Sequence, residues 1–478
     1  MIVNSVNFLL FFLVIFFVYY FLVKGKAKAQ NGLLLVGSYF FYGVANWKMI
    51  PLLFFSTVAF YYIGKAIHLN NVRNERKASG WTTLGTCLGI GILIYFKYLN
   101  FFIESFIDLF TAIGFHCNSV SFKIILPVGI SFFTFKLIGY ILDVRHQKMD
   151  ACDDFIAFAT YISFFPTLLS GPIDRANKFI PQLQEKRAFN YDLAVEGCMQ
   201  IIWGMFLKMC IADRTSIYVN AIFDNAAHHN GLSVSIAMLL YPLQMYADFS
   251  GYSDMAIGVG KLLGLKVAQN FNYPFFGRNI AEYWRNWHMS LTSWLTDYVF
   301  MPLNIKFRDW GKWGSELAIL ITFVLIGMWH GALWTFALFG LYHGLLYIPL
   351  MLSGDFFKRK NLKLNAHHFP GWKDVSKMMW TYLLVALGLI IFRSTSLSDV
   401  TLVLGQICSA WGMPFLDPNT IGLMMIGFVF LFFHDTHAAF KAFPWMDKIP
   451  NVCVASFYII LIIIMGVFDG NQFIYFQF

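Results

Sequence analysis

"LAILITFVLIGMWHGALWTFALFGLYHGLLYIPLMLSG", Leu317 to Gly354, contains no Asp, Glu, Lys or Arg, and its reading decides the fold class. A bilayer core takes about 20 apolar residues in helical form. No water is there to satisfy an open backbone, so such a run must close its own hydrogen bonds as helix. Inside it stands His330, within GMWHGALW (Gly327 to Trp334). An imidazole in an apolar segment either finds a hydrogen-bond partner or loses its hydration at a cost of a few kcal/mol. It is a satisfied structural residue or it is there for chemistry, and the local sequence leaves both readings open.

The rest of the chain has the same character. Of 478 residues, 58% are hydrophobic, 19% aromatic and 13% charged, with a mean hydropathy of +0.61. Soluble domains carry roughly 25% charged residues, so too little polar surface remains here to cover a water-soluble body. The expected fold class is an all-α polytopic membrane protein, because the alternation of barrel strands is absent. The net charge of +9 is divided among short clusters between apolar runs: Lys24, Lys26 and Lys28; Arg73, Arg76 and Lys77; Arg175, Lys178, Lys186 and Arg187. That is the pattern of the positive-inside rule. No nucleic-acid partner is expected; anionic membrane lipids, or an anionic cytosolic substrate, would gain from the same loops. The seven cysteines show no CxxC or Cys/His spacing and read as small buried hydrophobes. Residues 1–23 are uncharged and followed by lysines, the pattern of an uncleaved first span with its N-terminus outside.

Candidate spans cover roughly 5–23, 32–46, 49–67, 80–97, 99–114, 124–142, 155–172, 192–211, 231–247, 317–330, 333–352, 376–393, 402–416, 419–434 and 452–468. Several are short or broken by Gly or Pro, so about ten to twelve complete crossings are expected, with re-entrant or interfacial helices among them. Lys261 to Glu316 carries charges every few residues and many aromatics, as for helices at the interface or inside a funnel. The stretch 354–375 reads as an exposed loop.

One part of that polar region can be placed more sharply. In RNIAEYWRNWHMSLTSWLTDY (Arg278 to Tyr298), Asn279 suits an N-cap, with Glu282 three residues on. At 100° per residue Trp284, Trp287, His288, Leu291, Leu295 and Tyr298 share one arc, and Arg285, Asn286, Thr292, Ser293, Thr296 and Asp297 lie opposite. His288 therefore faces the aromatic side, either as a tethered core histidine or as a reacting group. Gly327 and Gly331, four apart around His330, allow a helix or ligand to approach closely, and Trp329 and Trp334 supply rigid walls. His343, in GLYHGLL, is a third candidate with nothing comparably specific around it. YADFSGYSDMAIG (Tyr246 to Gly258) brings Asp248, Asp254 and three hydroxyls around Gly251. A helix break there would line a polar or cation-binding cavity; a capped helix end is the equal alternative. No HxxxH or HxxE spacing supports a metal site, and no G-x-S-x-G elbow supports a nucleophilic serine.

Taken in order, LPVGISFFTF (126–135), SFFPTLLSGPIDR (163–175), DFSGYSDMAIG (248–258), YWRNWHMSLTSWLTDYVFMPL (283–303), GMWHGALW (327–334) and NQFIYFQF (471–478) resemble the membrane-bound O-acyltransferase family. The closer likeness is to the branch that acetylates bacterial exopolysaccharides such as alginate. The resemblance implies a single integral-membrane domain over 1–478: N-terminal spans in 1–115, a motif-bearing core in 120–350 and C-terminal spans in 376–478. It implies a helical bundle around a tunnel in the bacterial inner membrane, with the acyl donor entering from the cytosol and the acceptor from the other face. The family's membrane histidine corresponds to His330, and its second position, histidine in this branch, to His288. Two departures stand out. PLNIKFRDWGKWG replaces a PLGG-like turn, and Lys136 stands where relatives often carry Gln.

What the resemblance implies chemically is transfer of an acetyl group from acetyl-CoA to an exported polysaccharide, with a separate periplasmic acetyltransferase as partner and no tightly bound cofactor. His330 would act as general base on a hydroxyl, and His288 would orient substrate or stabilise the oxyanion. Trp284, Arg285, Asn286, Trp287, Asp248, Ser250, Trp329 and Trp334 would line the substrate path. Two alternatives remain: a D-alanyl transfer subunit of teichoic acid modification, and a transporter without acyl transfer.

Overall fold

The computed structural model describes residues 4–115, 122–354, 369–409, 411–415 and 418–468, and among these every regular element is a helix. The terminal NQFIYFQF match, Cys117 and residues 355–368 of the expected 354–375 loop lie outside the described residues; Trp372 already begins a helix. Two compact units are formed, one of Met1–Cys198 with Ala256–Ala268 and one of Met199–Met255 with Gln269–Phe478.

The first unit contains α1 (Val6–Phe17), α2 (Ala27–Asn46), α3 (Ile50–Arg73), α4 (Glu75–Leu93), α5 (Leu99–Ala112), α6 (Ile130–Arg145), α7 (Phe155–Ser163), α8 (Phe165–Leu168), α9 (Ala176–Gln184) and the start of α10 (Tyr191–Phe206). Ser5, Asn74 and Asp154 cap α1, α4 and α7 with their side-chain oxygens, satisfying amide donors that have no partner within the helix. Small residues let α6 in among its neighbours: a Cβ at Gly64 of α3 would lie 2.4 Å from the Tyr140 ring, and one at Gly89 of α4 2.7 Å from Ile138.

Several polar groups inside this unit are paired. Arg187 donates to Tyr19 Oη, to Asn31 Oδ1 at 2.6 Å and to the Gln182 carbonyl at 3.1 Å, which ties the chain before α10 to the first two helices. Lys136, one of the departures in the sequence, is buried in α6 and donates to Thr167 Oγ1 at 2.8 Å. Asp174, in the loop before α9, accepts from the Ala268 amide at 2.8 Å; burial pushes its carboxyl up to about 6 against the pull of the Lys136 ammonium.

The second unit holds the rest of α10 and α11 (Asp213–Phe223), α12 (Gly231–Leu262, to Met255), α13 (Ile280–Asn286), α14 (Met289–Leu295), α15 (Met301–Lys306), α16 (Gly311–His330), α17 (Trp334–Leu345), α18 (Ile348–Ser353), α19 (Trp372–Arg393), α20 (Leu397–Ile407), α21 (Pro418–Phe440) and α22 (Asn451–Met465). Tyr218, Ile222, Val234, Ala237, Ala386 and Ile390 form an apolar core that joins α11, α12 and α19. Gly251 does not break α12, as the sequence suggested. The helix runs through it, and its missing side chain serves a close crossing: a Cβ there would lie 2.7 Å from the Gly204 carbonyl oxygen of α10.

Among the described residues seven helical runs are long and apolar enough to cross a membrane: Ala27–Arg73, Glu75–Ala112, Tyr191–Phe223, Arg308–His330, Trp334–Ser353, Trp372–Arg393 and Thr420–Phe440. Val6–Leu22, Leu397–Ile407 and Asn451–Met465 are shorter apolar helices. Ala27–Arg73 has 47 residues, about 70 Å at 1.5 Å per residue, the length of two crossings. The expected spans 80–97 and 99–114 form one run, Glu75–Ala112, joined by a π-helical turn at Ile94–Tyr98. The expected span 155–172 stops at Ser163, where Phe164 leaves the helical region before the four-residue α8, which carries Pro166 in its first turn. Between the end of α12 at Leu262 and the start of α16 at Gly311 the chain forms only short helices and loops, in the second unit beyond Ala268.

Candidate active site

The site is built on the close pairing of α16 with α17. Gly327 of α16 and Gly340 of α17 permit it: a Cβ at Gly327 would lie 2.0 Å from the Phe336 carbonyl oxygen, and one at Gly340 2.2 Å from that of Phe323. Small residues four apart make such crossings possible within a membrane, where dispersion contacts replace the hydrophobic effect between helices. Gly331 then turns the chain in extended conformation, φ −167°. His330 is left as the last residue of α16, 6% exposed. Its ring lies 4.9 Å from Trp329, 5.1 Å from Phe392 and 6.4 Å from Phe339, centroid to centroid.

His288 packs against the same tryptophan. Its ring is 5.6 Å from Trp329 and 4.6 Å from Phe249. The structure corrects the continuous helix expected over Asn279 to Tyr298. Asn279 does cap α13, accepting from the Glu282 amide at 2.9 Å, and Glu282 reaches back to the Arg278 amide at 2.9 Å. But α13 ends at Asn286, and His288 adopts a left-handed conformation, φ 44°, before α14. The break is held from a distance. The Met289 amide donates to the Asn270 carbonyl at 2.8 Å and the Asn272 amide to the Asn286 carbonyl at 3.0 Å, while Ser290 donates to the Asn270 side chain at 2.6 Å. His288 still faces aromatic surroundings. Burial there pushes its imidazole down to about 3, which keeps the ring neutral through the physiological range.

A narrow cavity in this unit is lined by Trp284, Trp287, His330, Phe339, His343 and Phe392, among others. Its free volume of about 10 Å³ matches about one water-sized sphere. His330, Trp284 and Trp287 are thus brought together, with Trp329 linking His330 to His288. The remaining residues expected on the substrate path lie elsewhere in the unit. Asp248 is 2.6 Å from Lys208, whose ammonium also pairs with Asp213 at 2.7 Å. Ser250 donates to Asp254 at 3.3 Å, the Asn286 side chain accepts from Asn272 at 3.2 Å, and Arg285 and Trp334 are exposed.

The third histidine candidate of the sequence, His343, is also placed at this cavity. It lines the cavity with His330, and the Trp284 indole N–H donates to its Nδ1 at 3.3 Å. A signal for it was present: GMWHG and GLYHG repeat the pattern Gly-x-aromatic-His-Gly at 327–331 and 340–344, on two helices that pack together. Among the described residues no group of three or more His, Cys, Asp or Glu is placed to hold a metal ion.

With this arrangement in view, comparison with known proteins gives consistent matches. The membrane-bound O-acyltransferase family pattern matches residues 153–395. The "Probable alginate O-acetylase AlgI" of Pseudomonas aeruginosa is 36% identical over 403 residues, 83% of this chain and 73% of that protein. The peptidoglycan O-acetyltransferase of Helicobacter pylori is 32% identical over 366 residues, 69% of this chain and 67% of that protein. The teichoic acid D-alanyltransferase of Bacillus subtilis is 32% identical over 288 residues, 58% of this chain and 69% of that protein.

Proposed function

The chain belongs to the membrane-bound O-acyltransferase family, as a multi-pass O-acetyltransferase of the bacterial inner membrane, and from that premise we propose its donor, acceptor and reacting groups. The donor is acetyl-CoA arriving from the cytosol. The acceptor is a hydroxyl on the route to an exported, alginate-like polysaccharide, reached through a separate periplasmic acetyltransferase. His330 is the general base. The observation that carries this reading is the position of His330, buried at the end of α16 and lining a cavity with aromatic walls.

In the reaction the acceptor oxygen attacks the thioester carbon while His330 takes the hydroxyl proton. The tetrahedral intermediate collapses, the C–S bond breaks, and the CoA thiolate leaves, taking the proton from His330. Trp329 touches both His330 and His288 and fixes the two rings relative to each other; His288 orients the substrate. Trp284, Trp287 and Phe392 exclude water, which limits hydrolysis of the thioester. The Lys and Arg clusters between apolar runs would attract the phosphates of CoA.

The teichoic acid reading is favoured less, because the D-alanyl relative matches 58% of the chain against 83% for the alginate relative. The test supplies membranes carrying the protein with labelled acetyl-CoA or with D-alanine on its carrier protein. Acetyl label reaching polymer, and its loss in His330→Ala at matched protein levels, is the expected result. Label from D-alanine alone, or undiminished acetylation by His330→Ala, would overturn it.

A further inference from the structure

His343 has a definite hydrogen-bonding state that the mechanism above does not use. The residue lies in α17 at 1% exposure, and its ring lines the same cavity as His330. Both imidazoles touch Phe339, at 6.4 Å from His330 and 4.6 Å from His343. The Trp284 indole lies edge-on to His343 and points its N–H at Nδ1, 3.3 Å away. An indole N–H can only donate, so Nδ1 must accept, and the proton of the neutral ring sits on Nε2.

That second nitrogen has no hydrogen-bond partner among the described residues. It faces α19 at Gly388, where a Cβ would come within 2.7 Å of Nε2. Any side chain larger than glycine's hydrogen would crowd the nitrogen and displace the ring. Fixed in tautomer by Trp284 and on a ring that lines the cavity, this N–H is a donor with a hydrogen bond to give to a group that enters. In acyl transfer the group that arrives is a carbonyl oxygen, and it gains negative charge in the transition state.

We propose that His343 is a second catalytic histidine, donating from Nε2 to the thioester carbonyl oxygen while His330 takes the hydroxyl proton. The proposal rests on the acyl-transfer reading above. As the new C–O bond forms, the carbonyl π electrons move onto the oxygen held by Nε2–H. On collapse they return, the C–S bond breaks, and the thiolate takes the proton from His330. His343 transfers no proton; it stabilises charge, and Trp284 is the positioning residue that fixes its tautomer.

The test uses membranes carrying the full chain, as in the labelling experiment above, with acetyl-CoA as donor, following thiol release relative to membranes without the protein. His343→Leu should lower kcat by about 100- to 1,000-fold with little change in KM for acetyl-CoA. His343→Gln, whose amide N–H can reach the same oxygen, should recover at least about tenfold of that loss. A ketone analogue of acetyl-CoA supplies a second readout that needs no turnover. Its bound C=O stretch should move to higher frequency in His343→Leu and stay near the parent value in His343→Gln. Should the Leu variant fail to fold, the Gln variant and Trp284→Phe carry the test, the latter losing kcat without losing acetyl-CoA binding. A His343→Leu protein within threefold of the parent, or variants whose KM rises in proportion to the lost kcat, would overturn the assignment. A parent protein that releases no thiol from acetyl-CoA would instead bring down the donor reading, and this proposal with it.

Discussion

Lys208 lies between two carboxylates, its ammonium 2.6 Å from Asp248 and 2.7 Å from Asp213, with all three side chains buried. The arrangement sits beside the Gly204–Gly251 crossing of α10 and α12, where the backbones touch. With every group ionised the triad carries one carboxylate in excess. Removing the ammonium leaves two desolvated carboxylates facing each other; removing one carboxylate leaves a matched pair. Lys208→Met should therefore destabilise the protein by about 3–5 kcal/mol, and Asp213→Asn by no more than about 1 kcal/mol. Denaturation in one detergent measures both, and equal losses would contradict the triad.

Gly327 and Gly340 make a different kind of prediction, because what their missing side chains avoid is backbone. The obstacles are the Phe336 and Phe323 carbonyl oxygens at 2.0 and 2.2 Å, and no side-chain rotation can move them. Gly327→Ala must push α16 from α17, three residues before His330. Acetyl transfer should fall more than about tenfold, together with the melting temperature. Gly405→Ala, in α20 with nothing near its added carbon, should leave activity intact and stabilise by about 0.5–1 kcal/mol. Full activity in Gly327→Ala would separate the close crossing from the placement of His330.

The parts of the structure legible in the sequence are those that depend on local composition. The uncharged run from Leu317 to Gly354 became α16, α17 and α18, and the glycines around His330 marked a close helix crossing. The break at His288 was not legible. The helical period continues unbroken from Trp284 to Tyr298, and what interrupts it is hydrogen bonding to Asn270 and Asn272, which no local rule reveals. The continuity of α12 through Gly251 was not legible for the same reason: Gly204, whose carbonyl the missing side chain accommodates, lies 47 residues earlier, and Lys208, the partner of Asp248, lies 40 residues before it. His343 is the opposite case, since its flanking glycines repeat those of His330 and only their recurrence went unweighed.

His288 gives a pH dependence with a fixed sign. It occupies a turn outside the apolar spans, buried against Phe249 and Trp329, and burial pushes its imidazole down to about 3. In the unfolded chain the same group titrates near 6.5. Between those values the unfolded chain holds one proton more than the folded one, so stability falls as pH falls below about 6.5. Above that pH the contribution is complete and flat. His288→Asn removes the titration while keeping a residue that tolerates the left-handed backbone at φ 44°. Relative to that variant, the parent should lose about 2 kcal/mol of unfolding free energy between pH 7 and pH 5. Denaturant titrations in mild detergent at the two pH values measure it. The subtraction cancels every other histidine, so a constant difference would mean that the folded protein protonates His288, and that the ring is far more accessible than its aromatic surroundings imply.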